Sequence, residues 1–255
     1  MCSSDLESYS ESHKPRTIKN IDTSWKQLEP LHEESIANLT RKQVQLFFDN
    51  LQVSWNSKKK VKECLKMMMD YSIRYDIIPP EKIAIFDYVD ISSQIHVRSI
   101  DREIFTEEEI NNLWQMGDDF SRLLLFLIYT GLRSGEYCSL TEDSIDDDMV
   151  IHITESKTAS GIRSVPLSDK ALKLLPLPKF KTYKSMYGKF AVWREKTGIE
   201  HNFHDARHTC ISRLAEAKVD RRIIQVIVGH KGYNVTDDVY THFGIDVMRE
   251  ALNKI

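Results

Sequence analysis

Residues 204–240, HDARHTCISRLAEAKVDRRIIQVIVGHKGYNVTDDVY, decide how the rest of the chain is read. His204 and Arg207 are three positions apart, and residues i and i+3 are neighbours on a helix, so both can reach one ligand. From Cys210 to Val228 apolar residues recur at helical spacing (Ile211, Leu214, Ala215, Val219, Ile223, Val226, Ile227), which predicts helices packed on a core. A Val228-Gly229-His230 turn follows. Tyr240 comes ten positions after His230, and both return to the neighbourhood of His204.

The chain has 255 residues, which favours two domains. Charged residues make up 29% and hydrophobic ones 41%, the balance of an ordinary globular protein. The longest apolar run, Leu123 to Leu132, is shorter than the ~18 residues of a membrane helix, so no membrane association is expected. The first residues lack the basic and apolar parts of a signal peptide, which points to the cytoplasm. Cys2, Cys64, Cys138 and Cys210 stand too far apart for a zinc or disulfide framework. His201, His204 and His208 have no Cys-x-x-Cys beside them, and no metal is assigned.

A formal charge of −3 speaks against nucleic acid, but its distribution does not. Residues 41–66 carry a net +5 and residues 156–189 a net +7, whereas residues 98–148 carry −9. That segregation suits one phosphate-facing surface and an acidic back, although each basic run taken alone also fits a solvated face.

Residues 1–14 are polar and expected to be flexible. Helices are expected over Pro15–Glu29, with Ile18, Ile21, Trp25 and Leu28 on one stripe, from Thr40 through Leu51, and over Ser57–Tyr75. The third opens with Lys58, Lys59 and Lys60, placed against the helix dipole and read as phosphate contacts, and is ended by Pro79-Pro80. Residues 93–103 read as a linker. Thr106 caps a helix with acids in its first turn. Phe120 to Tyr129 must be buried, and it delivers Arg133 and Glu136. An arginine there is costly unless paired or bound to an anion, and an i, i+3 pair with Glu136 is the plainer reading of it. Strands over Met149–Ile153 and Ile162–Leu167 flank Lys157-Thr158, and Lys184 lies in a lysine-rich stretch suited to a DNA backbone.

Three boxes, His204-x-x-Arg207-His208-Thr209, Val228-Gly229-His230 and Tyr240-Thr241-His242, together resemble the C-terminal signature of the tyrosine recombinases, the phage-integrase family. Thr130-Gly131-Leu132-Arg133 and Lys157-Thr158 with Arg163-x-Val165-Pro166-Leu167 add two further boxes upstream. Ala206 departs from the leucine more usual at its position. The resemblance implies a mainly α (α+β) chain: a helical core-binding domain over 15–92, then a mostly helical catalytic domain over 104–255 with a small antiparallel β-sheet. It also implies Tyr240 as nucleophile, Arg133 and Arg207 as a phosphate clamp, His204 as general base, His230 as a donor to a non-bridging oxygen, Lys157 as general acid, and Glu136 in support. His208 is expected to be buried and hydrogen-bonded, and Arg163 to contact DNA.

No cofactor is implied. The expected partners are double-stranded DNA, three further copies of the chain in a tetramer on DNA formed from a monomer in solution, and accessory DNA-bending or excision factors. The tail from Ile245 to Ile255 has Ile245, Met248, Leu252 and Ile255 at helical spacing and must dock somewhere. Docking on its own domain and docking in a neighbour have nearly equal claims, and the resemblance favours the neighbour. A type IB topoisomerase and a catalytically idle DNA-binding regulator are the competing readings.

Overall fold

The computed structural model describes residues 15–92, 104–155, 161–230 and 243–255. Two compact units divide the chain between Ile100 and Asp101. The first holds α1 (Pro15–Gln27), α2 (Arg41–Asn50), α3 (Trp55–Arg74) and a 3₁₀ stretch, Pro80–Tyr88. Thr40 closes a reciprocal cap on α2, since its Oγ1 accepts from the Gln43 amide and its own amide donates to Gln43 Oε1 at 2.9 Å. The cap fixes the face that buries Val44, Phe47 and Phe48 against Val61, Leu65 and Met69 of α3.

Three local expectations are corrected here. Ser54, one of two cap candidates with Asn56, caps α3, so the helix starts at Trp55 rather than Ser57. It ends at Arg74, where Asp76 takes a left-handed φ of 56°, before the prolines are reached. On α1, Ser24 takes the buried position, and Trp25 lies outside, stacked on His32 at 3.9 Å.

Lys58 is also not a surface cation. Its side chain is 0% exposed, and Nζ donates to the Phe48 carbonyl at 2.6 Å, where α2 has run out of amides for its last carbonyls. Lys58 therefore serves as a cap on a helix C-terminus, where a positive charge is favourable. Lys59 and Lys60 beside it remain exposed.

The second unit comprises α4 (Glu107–Met116), α5 (Asp119–Thr130), α6 (Ser134–Cys138), β1 (Val150–Ile153), β2 (Arg163–Pro166), α7 (Asp169–Leu172), α8 (Tyr183–Thr197), α9 (Phe203–Glu216), α10 (Arg221–Val228) and α11 (Ile245–Leu252). Every residue of α5 from Phe120 to Thr130 except Arg122 is buried, because α4, α7 and α9 all pack on it. β1 and β2 form the antiparallel pair, with Ile151 opposite Val165 and Ile153 opposite Arg163. The fold is thus mainly helical with one small sheet. Among the described residues no helix is long and apolar enough to cross a membrane.

The C-terminal helix settles on its own unit. Met248, Ala251, Leu252 and Ile255 enter the core beside β2 and α10, Asn253 Oδ1 accepts from the Asp169 amide, and Arg249 donates to the Asp148 carbonyl. Of the two destinations weighed for the tail, its own unit is the one it occupies here, where its apolar face finds apolar surface.

Gly131 closes α5 at a φ of +65°, where an added Cβ would sit 3.0 Å from Val228 Cγ1 and 3.1 Å from Cys210 Sγ. Gly131→Ala is accordingly expected to cost about 1–3 kcal/mol through backbone strain and the clash together. Denaturant titration of the full chain measures it, and an unchanged midpoint would show that α9 and α10 give way freely.

Candidate active site

The turn after α5 places Arg133 half-exposed at the start of α6. Its amide donates to Glu136 Oε2 at 2.8 Å and its Nη1 to Glu136 Oε1 at 2.6 Å, so backbone and side chain are held by one carboxylate. Glu136 is also gripped from β2. Arg163 Nη1 and Nη2 donate to Oε1 and Oε2 at 3.1 and 3.0 Å, a two-pronged pair matching the planes of both groups. Burial alone would raise the Glu136 carboxyl, but the hydrogen bonds and charge of Arg163, and then Arg133, outweigh it and hold it below the usual range.

Arg207 projects from α9 and is 2% exposed, donating to the Gly131 carbonyl at 2.6 Å and to the Val228 carbonyl. A pattern emerges at the end of α10. Three consecutive carbonyls each accept from a different arginine: Ile227 from Arg163 Nε at 2.7 Å, Val228 from Arg207, and Gly229 from Arg133 Nη2 at 3.1 Å. The last carbonyls of a helix lack amide partners, and the dipole makes that end negative. The helix terminus thereby offsets the repulsion among three guanidinium groups. Burial, followed by the charges of Arg133 and Arg163, draws Arg207 down to about 9, which leaves it charged at neutral pH.

Gly229, at a φ of +65°, turns the chain so that His230 follows directly. Burial, then the charges of Arg207 and Arg133, lower its imidazole from 6.5 to about 4. His204 is exposed on the first turn of α9, capped by Asn202, with its ring 5.2 Å from that of His208. His208 is half-buried, in place of the expected full burial. Lys157 and Tyr240 lie outside the described residues. Lys184 is exposed on the first turn of α8.

Arg163, expected to contact DNA, is instead turned onto the protein in this geometry, its donors committed to Glu136, Ile227 and Gly161. Among the described residues no group of three His, Cys, Asp or Glu could hold a metal ion. His201 is buried instead between Glu109, at 3.2 Å, and the face of Phe105.

The charge balance around His230 gives a pH signature. Between pH 6.5 and about 4 the unfolded chain takes a proton at this position that the folded chain resists, so stability falls as pH falls through that window. Nuclear magnetic resonance titration is expected to place the His230 midpoint near 4, and added inorganic sulfate is expected to move it upward by neutralising the arginines. A midpoint near the ordinary value, or one indifferent to sulfate, would mean that no anion site adjoins it.

Comparison with known proteins agrees with this geometry. Residues 179–244 match the model of the phage integrase family. The chain is 27% identical over 171 residues to tyrosine recombinase XerA of Pyrococcus horikoshii, covering 58% of this chain and 60% of that protein. It is 23% identical over 269 residues to a tyrosine recombinase of Thermosipho africanus, covering 88% and 94%. The chain thus spans 54 to 60% of the length of the XerA relatives it matches. Among solved structures, it resembles the Tn1549 transposon integrase in complex with circular intermediate DNA, with a TM-score of 0.68 at 19% identity over 97% of this chain and 96% of that one. It also resembles a lambda integrase tetramer bound to a Holliday junction, with a TM-score of 0.70 at 16% identity over 95% and 79%. Arginines from three segments thus gather at one helix end, and beside them the chain is similar to the phage integrase family over residues 179–244 and to tyrosine recombinases along most of its length.

Proposed function

We propose that the protein is a site-specific DNA recombinase that cuts and rejoins strands to integrate or excise a mobile element. The observation that carries this reading is the pairing of Arg133 and Arg207 on adjacent carbonyls immediately before His230. Two guanidinium groups at that spacing suit the non-bridging oxygens of one phosphodiester, which planar, permanently charged donors hold at fixed geometry. His230, neutral at pH 7, donates an N–H to a non-bridging oxygen.

In this mechanism the Tyr240 hydroxyl attacks the phosphorus, and the bond from phosphorus to the 5′-oxygen breaks. The tyrosine proton goes to His204, and Lys157 protonates the departing 5′-oxygen. A 3′-phosphotyrosyl link and a free 5′-hydroxyl result, and the stored ester lets a second strand's hydroxyl reverse the step without ATP. Cationic donors supplied to a phosphoryl-transfer transition state contribute roughly 10³ to 10⁵ in rate. Glu136 keeps Arg133 aimed, and Lys59, Lys60 and Lys184 track the backbone. Residues 15–92 form the module that grips the core site, and 104–255 the catalytic domain. Assembly of four protomers on two duplexes from solution monomers, and the help of DNA-bending or excision factors, belong to the same reading. The lambda integrase tetramer on a Holliday junction supports it through likeness of fold.

Tyr240→Phe is expected to bind target DNA with near-unchanged affinity and to form no covalent adduct, read by denaturing electrophoresis of labelled DNA. An adduct from this variant would remove Tyr240 from its role. A wild-type chain that binds but never forms one would be an idle regulator. Lys157→Ala is expected to cleave slowly and to recover when the bridging 5′-oxygen is replaced by sulfur, since a thiolate leaves without a proton. Absence of that rescue would move the general acid elsewhere.

A further inference from the structure

Arg163 is the most completely engaged cation among the described residues, yet the phosphate clamp and the acid–base groups leave it without a part. Of the five N–H donors on a guanidinium, four hydrogen bonds are formed here: Nε to the Ile227 carbonyl, Nη1 to Glu136 Oε1 and to the Gly161 carbonyl, and Nη2 to Glu136 Oε2. With four of its five donors spent on protein acceptors, it offers a phosphate almost no free edge. Its position is set by the hairpin, where Arg163 opens β2 opposite Ile153. Each of its two main partners touches the clamp. Glu136 holds both the amide and Nη1 of Arg133, and Ile227 lies three residues before His230 in the helix end that also receives Arg133 and Arg207.

We infer that Arg163 is a positioning residue for strand cleavage: its guanidinium ties Glu136 to the end of α10 and so fixes where Arg133 and His230 stand relative to one phosphate. The inference rests on the roles proposed above for Arg133 and His230. A lysine cannot substitute, because a single ammonium is a point charge and cannot span a carboxylate and a carbonyl on different elements in one plane. The link also keeps Glu136 ionised. The charged groups that act on that carboxylate are Arg163 from β2, Arg133 from the start of α6 and Arg207 from α9, against its own burial. Losing the forked pair leaves burial less opposed, so the carboxyl titrates at higher pH.

The test uses the full chain carrying Arg163→Lys. Expected are a folded protein, unchanged affinity for a single DNA site, and covalent adduct formation slowed about 10²-fold, the penalty typical of a misplaced group near the chemistry. The adduct rate of the variant is expected to rise with pH through a carboxylate titration that the wild type lacks, and adding Glu136→Gln is expected to abolish that step. A readout independent of cleavage is the His230 midpoint by nuclear magnetic resonance, expected to shift although the charge at position 163 is kept. Wild-type cleavage by Arg163→Lys overturns the inference, as does loss of DNA affinity in step with cleavage, which would make Arg163 a DNA contact. If the wild type forms no adduct at all, the functional reading fails, and an unmoved His230 midpoint in Arg163→Lys then overturns the positioning role separately. Should Arg163→Lys fail to fold, Glu136→Gln cuts the same link from the other side, and an unmoved His230 midpoint in that variant is equally fatal.

Discussion

Three arginines at one helix end would repel one another apart if nothing opposed them. What opposes them is the backbone itself: the last carbonyls of α10, partnerless within the helix, take Arg163, Arg207 and Arg133 in succession. Among the described residues one carboxylate, Glu136, joins the cluster, and it pairs with two of the three. The cluster therefore keeps surplus positive charge in a partly buried place, which is the condition for seating an anion rather than neutralising the site internally. Burial first, and that surplus after it, depress His230 and pull Arg207 downward.

Around this centre the packing is arranged to deliver each arginine from a different element. α5, buried along nearly its whole length, ends at Gly131, whose carbonyl takes Arg207 and whose lack of a side chain lets Val228 and Cys210 come close. α9 sends Arg207 inward while His204, three residues earlier, stays exposed at the helix start. The hairpin brings Arg163 from the opposite direction. The core of the second unit is thus the scaffold on which the spacing of the cations depends.

Much of this was legible in the chain. The apolar run of α5, the caps at Thr40 and Thr106, and the hairpin all rest on local signals that tertiary packing did not override. Arg133 and Glu136 form the pair that i, i+3 spacing suggests, and that pair leaves the phosphate role proposed for Arg133 open to it. What sequence could not show was which cations are spent inside. Lys58 sits in a run of three lysines, and nothing in that run marks it as the one that meets the Phe48 carbonyl. Arg163 has the composition of a DNA contact, but its neighbours Glu136 and Ile227 are distant in sequence. The tail's destination was open for the same reason, since helical periodicity identifies an apolar face without naming the surface that covers it.

The burial of Lys58 and Arg163 bears on how binding should respond to ionic strength. A protein that neutralises phosphates releases condensed counterions, and log K falls with log salt by roughly 0.9 for each phosphate met on duplex DNA. Five cations outside the catalytic set, Lys58, Lys59, Lys60, Arg163 and Lys184, would have contributed a slope of roughly −4.5 between them on that scale. Two of the five are consumed by a helix end and a carboxylate, which leaves Lys59, Lys60 and Lys184 and roughly −2.7. On the proposed reading Lys58 and Arg163 would displace no counterions from DNA, because their donors are spent on protein acceptors.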